Sequence, residues 1–353
     1  YSIGEYAFAE CSNLESVKLP STIEEISVGL FFGCTKLQNV NIPYGVKLIA
    51  DRAFSWCQSL THIDLPDSVR SIGVCAFNTC TKLETIHLYD WITHIGEQAF
   101  AYCNSLKSVT VPGGFTFVDA NAFAFCNNLT NITIPDSVTE IGDGAFESCS
   151  NLTSITIPEG VTEIGEKAFE CCIRMTSIVI PKNVNKIGRS AFSKCENLIS
   201  ATIPDGITSI GNSVFENCKS LKSINIPYSV TTIGADAFSL CSFTSLNIPN
   251  NIESIGPRAF FGCDKLKNIT IPNAVTEIGE EAFDGCTILN SVTIPNSVIN
   301  IGAMAFQGCT YMTSVVIGNN VANIGNEAFR WCYSLTSVKC HNTTPPILGE
   351  NIF

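Results

Sequence analysis

A cysteine recurs every 23 residues along this chain. The series runs Cys11, Cys34, Cys57, Cys80, Cys103, Cys126, Cys149, Cys172, Cys195, Cys218 and Cys241, takes one 22-residue step, and resumes at Cys263, Cys286, Cys309 and Cys332. A fixed period of this length marks a solenoid, in which each copy is one supersecondary unit that buries its apolar face against the next. A length of 353 residues would otherwise suggest two domains. The period instead predicts one array over residues 1–353, with about fifteen copies. Residues 1–13 read as a partial first copy and residues 336–353 as a variant last copy.

The unit reads Leu-x-x-Val-x-Ile-Pro-x-x-Val-x-x-Ile-Gly-x-x-Ala-Phe-x-x-Cys-x-x. A clean copy is Leu152, Ile155, Ile157, Pro158, Val161, Ile164, Gly165, Ala168, Phe169 and Cys172. Its first half alternates apolar and polar residues, as in Leu129-Thr-Asn-Ile132-Thr-Ile134, which predicts a half-buried strand. Equivalent strands one copy apart must lie parallel. Pro20, Pro43, Pro66, Pro112 and Pro135 close the strands, where the missing N–H is tolerated. The second half has spacings of three and four and predicts a helical or 3₁₀ turn on the convex side. Gly165 or Gly279 would stand at its N-cap, followed by an acidic residue such as Asp51, Asp143 or Glu280 that suits a helix start. The fold class is thus an α/β repeat solenoid: a right-handed coil with a long parallel sheet on the concave face and short helical turns on the convex one.

These motifs resemble the BspA-like leucine-rich repeats over essentially the whole chain. The carriers are the 23-residue period, the Leu-x-x-Val-x-Ile-Pro strand and the Ile-Gly-x-x-Ala-Phe-x-x-Cys return. The tail Cys340 to Phe353 is similar to the variant copy that ends such arrays. The resemblance implies a cell-surface or secreted protein of host-associated bacteria or protozoan parasites. It also implies a non-enzymatic role in adhesion to host or microbial surface proteins or glycans. A passive spacer that holds another domain outward is the alternative.

Bulk properties agree. The net charge of −12 disfavours nucleic acid and anionic membrane surfaces. No apolar run approaches the 18 residues of a membrane span. Because both ends fall inside a copy, the intact protein is expected to be monomeric, and a dimer of this segment would be end to end.

The ladder cysteines read as buried small hydrophobes, since free Cys is among the most buried residue types. Equivalent side chains point the same way, which argues against disulfides between rungs. Cys340 takes an inward strand position and is expected in the core, while Cys75 and Cys171 fall in the convex turn. There is no Cys-x-x-Cys pair and His is scarce, so no metal, cofactor or catalytic residue is expected.

Ligand candidates are outward residues. Thr110, Thr133 and Thr156 belong to a hydroxyl-rich strand face roughly 65 Å long at about 4.8 Å per strand. The pattern breaks most in the fourth and fifth copies. There Tyr89 stands in place of Pro, Trp91 enters the turn, and Phe115 and Phe117 follow Gly113-Gly114. Phe115 replaces a core Val, which leaves Tyr89, Trp91 and Phe117 as candidates for an aromatic rim. Nearby, His62, Asp64, Glu84 and His87 fall on outward positions, with Asp64 beside His87.

Overall fold

The computed structural model describes residues 2–353. The chain divides into two compact units, one ending at Met175 and the other Thr176–Phe353. Each is a parallel β-solenoid with two short strand rows per coil. In the first unit the first row includes Ser16–Lys18 against Asn39–Asn41 and Ser108–Thr110 against Asn131–Thr133. Its second row joins Glu25–Ile26, Leu48–Ile49, Ser71–Ile72 and His94–Ile95, then resumes with Phe117–Val118, Glu140–Ile141 and Glu163–Ile164. The second unit repeats the plan. Ser291–Ile294, Ser314–Ile317 and Ser337–Cys340 form one first-row sheet. A second-row ladder of seven runs from Ser209–Ile210 to Ile347–Leu348.

The sequence predicted the first row but not the second. The signal was the outward–inward pair just before the glycine, such as Glu140–Ile141 or Glu163–Ile164. Two residues are too few to establish a period of two.

The expected helical turn is corrected: among the described residues there is no α-helix or 3₁₀ helix in the return. Its backbone amides alternate between two partners. In one coil Arg52, Phe54 and Trp56 donate to Val74, Ala76 and Asn78 of the next coil, at 2.8–2.9 Å. The intervening Ala53, Ser55 and Cys57 donate three residues back, to Ala50, Arg52 and Phe54. Arg52 and Trp56 have φ of 56° and 65°. Left-handed residues at this spacing cannot continue a helix. Their gain is a third inter-coil ladder, so each side of the coil is stitched to its neighbour.

The helix-cap reading of the glycines falls with the helix. A Cβ on Gly165 would stand 2.5 Å from the Asp143 nitrogen and 2.6 Å from the Gly142 carbonyl carbon. On Gly279 it would stand 2.5 Å from Pro257 N. Glycine is required there because adjacent coils nearly touch. The following acidic residue also acts between coils. Asp51 Oδ1 accepts from Val74 N–H at 2.8 Å and Asp143 Oδ1 from Glu166 N–H at 2.7 Å; Asn212 does the same for Ala235.

The core is a stack of identical side chains. Phe31 to Phe169 lie ring on ring at 5.2–5.9 Å in the first unit, and Phe192 to Phe329 at 5.1–5.8 Å in the second. Beneath them run the ladder cysteines, free and buried from Cys34 to Cys309. They do more than fill space. Cys80 Sγ donates to Phe54 O at 3.2 Å, and that carbonyl also accepts the Cys57 amide. The same thiol–carbonyl link recurs at Cys103, Cys126 and Cys149, and again at Cys241, Cys263 and Cys286. Burial pushes the Cys80, Cys149 and Cys263 thiols up to about 12. They are therefore protonated donors rather than nucleophiles at neutral pH.

Three departures follow from position. Cys11 is exposed and Cys332 only half-buried. Cys340, expected in the core, is exposed, and its thiol contacts Asn342 Oδ1 at 3.4 Å. Its strand is exposed along its whole length, although the tail beyond it is laid on the preceding coil through Ile347–Leu348, Ile352 and Phe353. The 22-residue step after Cys241 is absorbed by Phe243. This ring is fully buried and sets its edge on Phe238 at 5.5 Å, reaching the core across the shortened connection.

A candidate recognition corner at the fourth and fifth coils

The corner between the two strand rows normally carries Ser, Gly or Asn at the position of Trp91. In several coils the polar residue ties neighbours together. Ser68 Oγ donates to Val46 O at 2.8 Å, Ser229 Oγ to Ile207 O at 2.7 Å, and Asn251 Nδ2 to Val230 O at 2.7 Å. Among the described residues Trp91 makes no such bond. Its ring instead stacks on Tyr89 at 4.9 Å and 7° between planes, and His87 sets its edge against Tyr89 at 4.3 Å. Arg70 Cζ lies 5.8 Å from the Trp91 ring. The guanidinium is held by the carbonyls of Asp67 and Val69, at 2.8 and 3.1 Å, so its charge is oriented without being paired to a carboxylate. Such a cation over an aromatic face is attracted by the ring quadrupole. In the next coil the corner is Gly113-Gly114, and a Cβ on Gly113 would meet nothing within 4 Å. Trp91 is left 40% exposed.

The predicted rim is thus half assembled. Tyr89 and Trp91 come together and recruit His87 and Arg70. Phe117 is 44% exposed but lies on the second strand row, in register with Glu140, and among the described residues makes no ring contact with the pair. Phe115 is buried as expected. It fills the core position held by Val46, Val69 and Val138 in other coils, and the second-row ladder is interrupted between His94–Ile95 and Phe117–Val118. A small cavity remains there against Ile95, Val111 and Phe123. Asp119 sits beside it with His94 Nδ1 3.9 Å from its carboxylate. Desolvation raises the Asp119 pKa, and the nearby His94 opposes the rise.

The other candidates are dispersed. His62 is in register with Thr85, and its Nδ1 lies 3.2 Å from the Thr61 hydroxyl. The one-coil offset aligns Asp64 with His87, yet the His87 ring is engaged with Tyr89 and no ion pair joins the two among the described residues. Glu84 turns to the next coil, where its carboxylate meets Lys107 Nζ at 2.6 Å. That pairing lowers the Glu84 pKa, first through the hydrogen bond and then through the charge. Among the described residues no three His, Cys, Asp or Glu side chains gather as metal ligands would. Thr110 and Thr133 stand side by side on the sheet, and Thr156 is likewise exposed. Some of these hydroxyls also stitch the ladder: Thr202 Oγ1 accepts from Ile180 N–H at 3.0 Å.

Sequence reasoning missed Arg70, whose side chain is called to the corner only once Trp91 is there. On the return side, exposed Tyr102 stacks on half-buried Phe125 of the next coil, with ring centroids 4.5 Å apart, as equal phase in adjacent copies leads one to expect.

Comparison with known proteins places this architecture. The model of the BspA type leucine rich repeat region matches residues 1–130, 116–243 and 231–353. A leucine-rich repeat protein from Bacteroides ovatus is 31% identical with a TM-score of 0.74, over 95% of this chain and 81% of that one. A leucine rich cell surface protein from Faecalibacterium prausnitzii is 29% identical with a TM-score of 0.61, over 94% of this chain and 89% of that one. No curated protein matches the chain. No helix among the described residues is long and apolar enough to cross a membrane. The period, the strand rows and the matched residues agree: the chain belongs to the BspA-type leucine-rich repeat family.

Proposed function

We propose that this chain is a non-enzymatic recognition scaffold of a cell surface, binding host or microbial macromolecules through its outward strand face and the corner at Tyr89 and Trp91. The surface assignment is supported by the family and by a similar protein described as a leucine rich cell surface protein. The observation that carries the reading is local. At Trp91 the chain lacks an inter-coil hydrogen bond that several other coils make and displays an aromatic cluster beside Arg70, which meets no carboxylate among the described residues. Aromatic residues and arginine are the residue types that dominate binding energy at protein interfaces. The cluster adds nothing to the core, since the Phe stack and cysteine ladder continue beneath it unchanged.

Binding of the full chain to intact epithelial and bacterial cells, followed by flow cytometry, tests the proposal. Tyr89→Ala with Trp91→Ala is expected to lower cell binding about tenfold or more, as loss of a central anchor does. The far-ultraviolet spectrum and melting temperature should stay close to the parent values. Unchanged binding by that variant would overturn the role of the corner. If the parent chain binds no cell tested, the spacer reading stands instead.

A further inference from the structure

We infer a second binding site in the Thr176–Phe353 unit: a groove for a linear, neutral oligosaccharide along the corner after the first strand row. In this unit the residue following the strand-closing position is asparagine in five successive copies, Asn250, Asn273, Asn296, Asn319 and Asn342. Earlier copies place Asp136, Glu159, Lys182, Asp205 and Tyr228 there. The strands feeding this corner, Ser291–Ile294 and Ser314–Ile317, are four residues long and fully in register. The register sets one corner per coil at the strand spacing of about 4.8 Å.

The corner is concave. A groove of about 460 Å³ is lined by the polar side chains of Asn273, Asn296, Asn319, Thr293 and His341, with Gly318 and the apolar Ile294, Pro295 and Val316 between them. Gly318 stands where most copies have proline. A Cβ there would lie 2.5 Å from Pro295 O, so the position excludes a side chain and the groove floor stays open. Asn296 is held in place by the backbone of the next coil, since its Oδ1 accepts from Asn319 N–H at 2.9 Å. Its amide NH₂ remains directed to donate elsewhere. Asn273, Asn296 and Asn319 are all exposed.

The chemistry selects the ligand class. Each free amide offers two donors and an acceptor, Thr293 a hydroxyl and His341 a ring nitrogen of either kind. No carboxylate, lysine or arginine lines the groove, and Lys339, opposite Val316 in the strand register, is the nearest charge along the sheet. An ionic ligand finds no counter-charge, and a purely apolar segment would leave the asparagine, threonine and histidine groups of the groove unpaired. Vicinal hydroxyls on a pyranose ring match paired amide donors and acceptors. Identical groups repeated once per coil along a line match a linear chain with one ring per step rather than a branched one. The site deepens the recognition-scaffold reading and rests on it, but shares no residue with the Tyr89 corner.

The test is titration calorimetry of the full chain with cellohexaose, a linear neutral chain, and with a branched high-mannose glycan. Cellohexaose is expected to bind with a Kd on the order of 1 mM or tighter, the range that a few exposed hydrogen bonds support. The double variant Asn273→Ala, His341→Ala removes side chains that make no structural bond and should weaken binding by about tenfold or more. Asn296→Asp keeps the acceptor for Asn319 N–H, so it guards against simple misfolding and should weaken binding as well. Failure of cellohexaose to bind, or binding untouched by these substitutions, would overturn the inference. So would binding of the branched glycan alone. Cell binding that survives the groove substitutions but falls with Trp91→Ala would leave the corner reading intact while removing this one.

Discussion

The corner at Tyr89–Trp91 and the corner at Asn273–Asn319 occupy the same place in the repeat, yet they are built in opposite ways. The first is a single break. One coil exchanges a hydrogen-bonding residue for an indole, and the surrounding side chains close on it: His87, Tyr89, Trp91 and Arg70. The second is a variant kept constant through successive coils, and it stays open. A repeat protein can therefore specialise either by violating its pattern once or by fixing one letter of it over several copies. The first route yields a compact aromatic cluster and the second a row of like amides one coil apart. Neither alters the coil beneath, since the Phe stack and thiol ladder have the same geometry in both units.

That shared base can be broken on purpose, and both units should respond alike. The largest effect is alkaline. Burial holds the Cys80, Cys149 and Cys263 thiols at about 12, against 9.0 for an ordinary thiol. A raised folded value means that the stabilisation is complete below about pH 9 and is lost as pH climbs from there toward 12. Each such thiol removes up to about 1.4 kcal/mol per pH unit once the unfolded state ionises. Denaturant midpoints measured at pH 8 and 10 should fall steeply, and hydrogen exchange should accelerate in both units. A midpoint independent of pH over that range would contradict the buried thiol ladder.

Next in size is the ring stack. Phe100→Ala beneath the aromatic corner and Phe283→Ala in the asparagine unit should each cost about 3–5 kcal/mol, the usual loss for a buried phenylalanine. Urea unfolding measures this, and a clear disparity would show that the two corners do not rest on equivalent cores. Gly165→Ala and Gly279→Ala follow, at about 1–3 kcal/mol, because the new methyl must push apart backbones that already approach closely.

The smallest effect is the sharpest. Trp91→Ser restores the residue type that bonds neighbouring coils at Ser68 and Ser229, and should raise stability by about 0.5–1.5 kcal/mol. Asn251→Ala in the other unit should lower it by a similar amount. A higher melting temperature for the first and a lower one for the second would show that the aromatic corner is maintained at a cost to stability.

Much of this was legible before the structure. The 23-residue phase assigned Phe115 to the core and Trp91 and Phe117 to the surface, and each lies where the phase put it. The phase could not foresee the return. Spacings of three and four suggest a helix whenever local bonds are counted alone, whereas here alternate amides reach the next coil and left-handed residues recur at Arg52 and Trp56. Inter-coil bonding also explains the glycines and acidic residues that looked like helix caps. Cys340 was misplaced for a related reason: phase describes a side chain's direction, while burial depends on what lies over it. Contacts between different phases, such as Arg70 with Trp91 or Glu84 with Lys107, are set by side-chain reach and were invisible to a ruler of period 23.

The proposed division, recognition in the corners and stability in the coil, is tested most directly by setting cell binding of the full chain beside its melting temperature for Tyr89→Ala, Trp91→Ala. The account predicts binding reduced about tenfold or more with the melting temperature held or raised. Binding that persists while the melting temperature falls would mean that the aromatic corner is part of the scaffold, and would contradict the account.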